Sequence, residues 1–298
     1  MRFNKIFDSN TRIFEQLLSS YTDNAHVLSV CNATMGILGA FYSLGLRDCE
    51  IITTPLTWAG ALSGLKLLND KIVYAQIDEP ALTLSPESVE NLITPATKAV
   101  FSADFLGYPA KLDEIKTICI KNDLLLIHDA ASSFASLYKG HYSGFFADVC
   151  IYSFGRNKAF TTGEGGAIIT HDGSIYEKLI THLTHPDRQF IELSHQNMFA
   201  LNMCMNPLSI SYGIKTFEQQ YGAIVSHRDK VIRQLKSVGY NNFPSTESRP
   251  NFYKPFFCVA NGKWKHFSQQ ALPYKPLSNI ELKQGALRDY RVISELCL

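Results

Sequence analysis

From residue 26 to residue 129 the chain alternates short, apolar, β-prone runs with stretches of helical spacing, and no other feature restricts its fold as much. His26 to Val30, Glu50 to Thr53, Lys71 to Gln76, Lys98 to Ser102 and Leu124 to Ile127 read as strands. Between them, Asn32 to Leu44, Trp58 to Leu68, Pro86 to Leu92 and Leu112 to Lys121 read as helices. A further helix, Thr11 to Tyr21, places Ile13, Phe14, Leu17 and Leu18 on one face. Strands separated by helices predict an α/β domain with a mainly parallel sheet covered on both faces. Ligands on such sheets bind at the carboxyl ends of the strands. Ala33-Thr34, Asp129 and Ser153 all fall at such ends, so they are read as one constellation.

The 298 residues suffice for one large domain and a smaller one, expected at 1–222 and 223–298. Hydrophobic residues make up 46% and charged residues 18%, which excludes a disordered chain. A net charge of +1 leaves no electrostatic footprint for nucleic acid or acidic lipid. The seven cysteines are odd in number and form no CxxC pair, so they predict reduced thiols of a cytoplasmic protein, without a disulfide framework or metal site. Met1 to Lys5 lacks the apolar core of a signal peptide, and no stretch approaches the length of a membrane span. After Thr170 the pattern predicts a helix over 174–182, a polar irregular stretch from His185 to Leu201, and a long, interrupted helix from Pro207 to Leu235. The prolines and aromatics beyond Gly239 predict a small, partly β region.

The chemistry centres on Lys158, set between a strand (Ala147 to Phe154) and a second one (Ala167 to Thr170). A lysine lodged among apolar and backbone groups loses its proton more readily, and a neutral amine is what Schiff-base chemistry needs. Asp129 ends the apolar run Leu124-Leu125-Leu126-Ile127. A carboxylate there needs a partner, either a ligand cation or the backbone of a helix it caps. Asn32-Ala33-Thr34 joins a strand to a helix, which serves either as a plain cap or as a phosphate site built from first-turn N–H groups. Trp58, one of two tryptophans, either fills the core or stacks its face on an aromatic ligand. Ser153 reads by itself as a turn hydroxyl, and Gly163-Glu164-Gly165-Gly166 as a tight turn beside Lys158.

Ser153-Phe154, Lys158 and Gly163-Glu164-Gly165-Gly166 resemble, at their spacing, the lysine region of the DegT/DnrJ/EryC1/StrS sugar aminotransferases. Asn32-Ala33-Thr34, Asp78, Thr97-Lys98-Ala99, Gly107-Tyr108-Pro109, Leu112-Asp113 and Asp129-Ala130-Ala131 follow in that family's order, from Phe14 to Tyr212. The resemblance implies a fold-type-I enzyme binding pyridoxal 5'-phosphate, with a small, shortened α+β C-terminal domain. It implies Lys158 as the Schiff-base lysine and proton carrier, and Asp129 as partner of the ring nitrogen. Trp58 would stack on the ring, Ser132 lie near its hydroxyl, and Ala33, Thr34 and Ser153 hold the phosphate. Asn202 would reach the phosphate of the partner subunit in a homodimer, with Cys204 replacing a usual arginine. His185 and Arg188 would contact the substrate. The implied reaction moves an amino group from L-glutamate to a keto-sugar carried by a nucleotide. The alternatives are a sugar dehydrase, whose known members replace the lysine with histidine, a catalytically silent binding relative, and another fold-type-I enzyme acting on an amino acid. The family's usual His-Tyr-Pro-Pro segment is missing, with Ala271 to Pro276 as its remnant.

Overall fold

The computed structural model describes residues 9–69, 71–78, 81–237, 247–252, 257–260 and 263–266. Helix α1 (Ser9–Ser20) leads into β1 (His26–Val30), α2 (Ala33–Ser43), β2 (Glu50–Thr53), α3 (Ala59–Leu68) and β3 (Lys71–Tyr74). A small hairpin, β4 (Ile77–Asp78) and β5 (Thr83–Leu84), precedes α4 (Pro86–Leu92), β6 (Thr97–Ala103), α5 (Leu112–Lys121) and β7 (Leu125–Asp129). A second hairpin, β8 (Leu137–Tyr138) and β9 (His141–Tyr142), leads to β10 (Val149–Ser153) and β11 (Gly166–Thr170). Helices α6 (Gly173–Leu183), α7 (Pro186–Leu193) and α8 (Pro207–Ser237) follow, then β12 (Ser248–Arg249), β13 (Phe257–Ala260) and β14 (Lys263–His266).

Seven strands form one sheet in the order β1-β11-β10-β7-β6-β2-β3. The pairs β10–β7, β7–β6, β6–β2 and β2–β3 are parallel, as the strand–helix alternation predicts. Strand β11 runs antiparallel to both β10 and β1, because a loop rather than a crossover helix joins it to β10. The carboxyl ends of β1, β10 and β7 therefore lie along one edge with the start of β11.

Side chains alternate between the two faces. Phe101, Ile127, Ile151 and Ile168 pack with Ile37 and Phe41 of α2, Leu62 and Leu65 of α3, and Leu179 of α6. On the other face Val100 and Leu126 meet Val89 of α4 and Ile115 of α5, while Cys150, Tyr152 and Ile169 meet Phe14 of α1 and Phe217 of α8. Each such aliphatic or phenyl group contributes about 1.5–3 kcal/mol by leaving water.

Two segments differ from the sequence expectation. Helix α7 occupies the stretch expected to be irregular, since the His185 ring accepts from the Asp187 N–H and Pro186 takes the first turn. Helix α8 is continuous over 31 residues, so the expected break is absent and the expected domain boundary at 222 falls inside it. A Cβ on Gly213 would lie 2.8 Å from the Phe14 ring, so this glycine serves the α1–α8 approach and is no interruption. Ala271 to Pro276 lie outside the described residues. Among the described residues no helix is long and apolar enough to cross a membrane.

Candidate active site

Asn32 caps α2, its side chain accepting from the Met35 N–H at 2.9 Å. The N–H groups of Ala33 and Thr34 stand before that donor, in the turn where a helix has no acceptors of its own. Strand β11 begins against this turn. A Cβ on Gly166 would sit 2.9 Å from the Ala33 nitrogen and 2.7 Å from the Tyr152 oxygen, so only glycine lets the strand start there. Trp58 is the residue before α3, and at 60% exposure it does not fill the core. A Cβ on Gly60 would meet both the Trp58 indole and the Thr34 hydroxyl, which places Trp58 beside the α2 turn.

Asp129 closes β7 opposite Ile151, and Ser153 ends β10 opposite Gly166. Both share the parity of Ile127 and Ile151, so they stand on the face covered by α2. Asp129 is 7% exposed and accepts from the Ala131 N–H at 2.9 Å. Burial pushes its carboxyl above the ordinary range, opposed by the Lys158 charge, the Ala131 N–H and His128. Lys158 is half-buried in the β10–β11 loop, with its N–H on the Gly155 carbonyl at 3.0 Å. That loop closes on itself, Phe154 N–H reaching the Gly165 oxygen and Thr162 N–H the Phe154 oxygen. Gly163 and Gly165 have φ of 85° and 147°, and Glu164 is exposed at the tip.

Ser132 follows on the loop after Asp129, its hydroxyl donating to the Asp104 carbonyl at 2.9 Å and accepting from the Gly107 N–H at 3.3 Å. Asn202 is exposed, with φ of 49°, on a segment drawn to the end of β1 by Cys31 N–H on the Met203 oxygen and a bridge from Val30 to Cys204. Ala33, Thr34, Trp58, Asp129, Ser153, Lys158 and Asn202 therefore gather at one edge of the sheet.

His185 and Arg188 are placed otherwise. His185 caps α7 with its ring. Arg188 is 3% exposed and grips Glu15 of α1 through both terminal nitrogens, at 3.0 and 2.9 Å, while its Nε reaches Glu192 at 2.9 Å. Burial works against that charge, but Glu15 and Glu192 hold the guanidinium above its ordinary range. The alternative reading of Arg188 as a solvent-exposed loop group is thus corrected: its side chain is buried and paired in the interior. Asp104 and His128 were not foreseen either. They lie behind the site, His128 Nε2 3.1 Å from Asp104 Oδ1, and that oxygen accepts from the Ala110 N–H. A polar residue just after an apolar strand, as Asp104 is, was the available signal.

The DegT/DnrJ/EryC1/StrS aminotransferase family matches residues 5–253, and the chain belongs to it. It is 28% identical over 210 residues to GDP-perosamine synthase of Escherichia coli O157:H7, covering 69% of this chain and 57% of that protein. To an uncharacterised protein of Methanocaldococcus jannaschii it is 35% identical over 167 residues, 56% of this chain and 43% of the other. The chain thus spans about half the length of the curated relatives it matches. A solved GDP-4-keto-6-deoxymannose-3-dehydratase with bound GDP-perosamine has the same fold, with a TM-score of 0.73 at 20% identity over 86% of this chain and 74% of that one.

The family implies pyridoxal phosphate as cofactor, and the residues fit it. A buried carboxylate held above its ordinary range wants a cationic partner. The α2 turn offers N–H donors to an anion, and the exposed Trp58 offers a flat apolar face.

Proposed function

We propose that the protein is a pyridoxal-phosphate aminotransferase moving an amino group from L-glutamate to a keto-sugar carried by a nucleotide. The observation that carries this reading is the pairing of half-buried Lys158 with buried Asp129, close enough for the Lys158 charge to act on the carboxyl. Lys158 holds the cofactor through its amine, and Asp129 keeps the ring nitrogen protonated. When bound, pyridoxal phosphate supplies an electron sink for negative charge at the donor's Cα. Ala33, Thr34 and Ser153 would hold the phosphate, Trp58 would stack on the ring, and Ser132 would lie near its hydroxyl. Lys158 Nζ, once free, would take the proton from the donor's Cα and return it on the cofactor side, acting as base and then acid, and the same roles would run in reverse with the keto-sugar. The enzyme works in the cytoplasm as a homodimer, with Asn202 reaching the partner's site. His185 caps its helix yet lies near the Asn202 segment, and remains the substrate-contact candidate there.

The same fold carries a sugar dehydratase. Lys158 argues for transfer, because the dehydrase relatives carry histidine at this place. The test is the visible spectrum of the purified protein with pyridoxal phosphate, before and after L-glutamate. The expected result is a yellow band that bleaches with glutamate and is missing from Lys158→Ala. An absent band, or one identical in Lys158→Ala, would sink the reading.

A further inference from the structure

We propose that Asn251 is a positioning residue that ties the segment leading into the C-terminal region to the cofactor loop after Asp129. The proposal rests on the reading of Asp129 and Ser132 as cofactor residues. Asn251 is fully buried. Its Nδ2 donates to two carbonyls of that loop, Ser132 at 2.9 Å and Phe134 at 3.0 Å. Its backbone N–H donates to Ser136 Oγ at 2.9 Å, and that hydroxyl donates to the Gly107 carbonyl at 2.8 Å. The Gly107 N–H returns to Ser132 Oγ, which donates to the Asp104 carbonyl, and the Asp104 N–H donates to the Asp129 carbonyl at 3.0 Å. One continuous run of hydrogen bonds thus leads from Asn251 to the strand end that carries Asp129.

The chemistry selects an amide at 251. Two buried carbonyls, two residues apart, need two donors on one planar group, and only a primary amide of this length brings them. A carboxylate of the same shape would set a negative oxygen against both carbonyls in a fully buried site. Gly107 completes the fit: its φ is 89°, and a Cβ there would lie 2.3 Å from Asn251 Oδ1. The segment is itself held by α8 through His227 on the Phe252 carbonyl at 3.1 Å, while the Arg249–Asp229 pair beside it is solvent-exposed and contributes little. Arg228 of α8 also donates to the Ala135 carbonyl at 2.8 Å, so the helix and Asn251 grip the loop from two sides.

The experiment compares the full chain with Asn251→Asp and with Arg249→Ala, a nearby change that leaves the loop bonds in place. Amide hydrogen exchange is measured without cofactor, and pyridoxal phosphate affinity and visible circular dichroism are measured with it. The expected result for Asn251→Asp is faster exchange at Gly107 and across 130–136, affinity weaker by about tenfold, and altered dichroism of the bound cofactor. Arg249→Ala keeps wild-type values in all three. A folded Asn251→Asp protein with wild-type exchange and affinity overturns the proposal. If Asn251→Asp does not fold, Ser136→Ala, which removes only the hydroxyl between Asn251 and Gly107, is measured in the same way. Faster exchange at Gly107 then supports the proposal, and unchanged exchange overturns it. A wild-type protein that fails to bind the cofactor refutes the aminotransferase reading instead, while the exchange comparison still judges Asn251.

Discussion

Asp129 is held at a free-energy cost in the protein alone, and that cost has a sign. Burial raises its carboxyl above the ordinary range, so the folded state binds the proton more tightly than the unfolded chain does. Stability without cofactor therefore falls as pH rises from the ordinary carboxylate pKa towards the raised folded value. An amide in place of this carboxyl carries no such charge. Thermal unfolding of the cofactor-free Asp129→Asn protein at pH 7 is expected to show a gain of about 1–3 kcal/mol over wild type, shrinking to little below about pH 4. The same variant should lose most of its glutamate half-reaction. An unchanged or lower stability at pH 7 would mean that Asp129 is already satisfied by protein partners. Arg188 gives the opposite case, a buried charge that is paired within the chain. Arg188→Met leaves the buried Glu15 carboxylate with no cation and only the Ser29 N–H and hydroxyl as donors, so urea unfolding should show a loss of about 3–5 kcal/mol, largely recovered when Glu15→Gln is added. Recovery that failed to appear would show that the arginine acts by packing alone.

At the scale of elements, helix ends were the most legible feature. Asp172 precedes α6 and accepts from the N–H groups of Ser174 and Ile175, at 2.7 and 3.2 Å. The Ser174 side chain first, and then these N–H bonds, hold its carboxyl below the ordinary range. Asp172→Ala should therefore cost about 1 kcal/mol in urea unfolding at pH 7. The cap's contribution is full above the ordinary carboxylate pKa and is lost as pH falls through the depressed folded value, so the two proteins should converge in acid. The parallel strands, α2 and the site positions at strand ends were equally readable, because each is written in a local alternation of apolar and polar residues. Arg188 was not, because its partner Glu15 is 173 positions away and a local window sees only a charge in a polar run. Helix α7 was hidden for a related reason: Phe190 and Ile191 are exposed, so no core-facing stripe marks it. Asn251 stood in a stretch without periodicity, and only the fold brings it against Ser132 and Phe134.

At the scale of the whole molecule, the surface of the described residues is uneven. Trp58, Met198, Phe199, Leu208 and Tyr212 are exposed apolar side chains, Phe199 at 90%. A surface of that kind usually serves contact with another molecule. Asn202 lies within the same segment, and the proposed homodimer uses it to complete the site of the other subunit. That arrangement makes a quantitative prediction. Lys158→Ala removes the amine from a subunit's own site, whereas Asn202→Asp sets a negative charge against the phosphate in the partner's site. Each variant alone should be inactive. Mixed dimers place both defects in one site and leave the other intact. With random pairing half of the dimers are mixed and each has one working site of two, so unfolding and refolding the variants together should restore about one quarter of wild-type activity. The measurement is the glutamate half-reaction, followed by loss of the visible band, in separate and co-refolded samples with mass confirming the mixed dimer. Mixed dimers that stay inactive would place Asn202 in its own subunit's site or in none. Activity near one quarter would show that this short chain builds its catalytic centre across two copies.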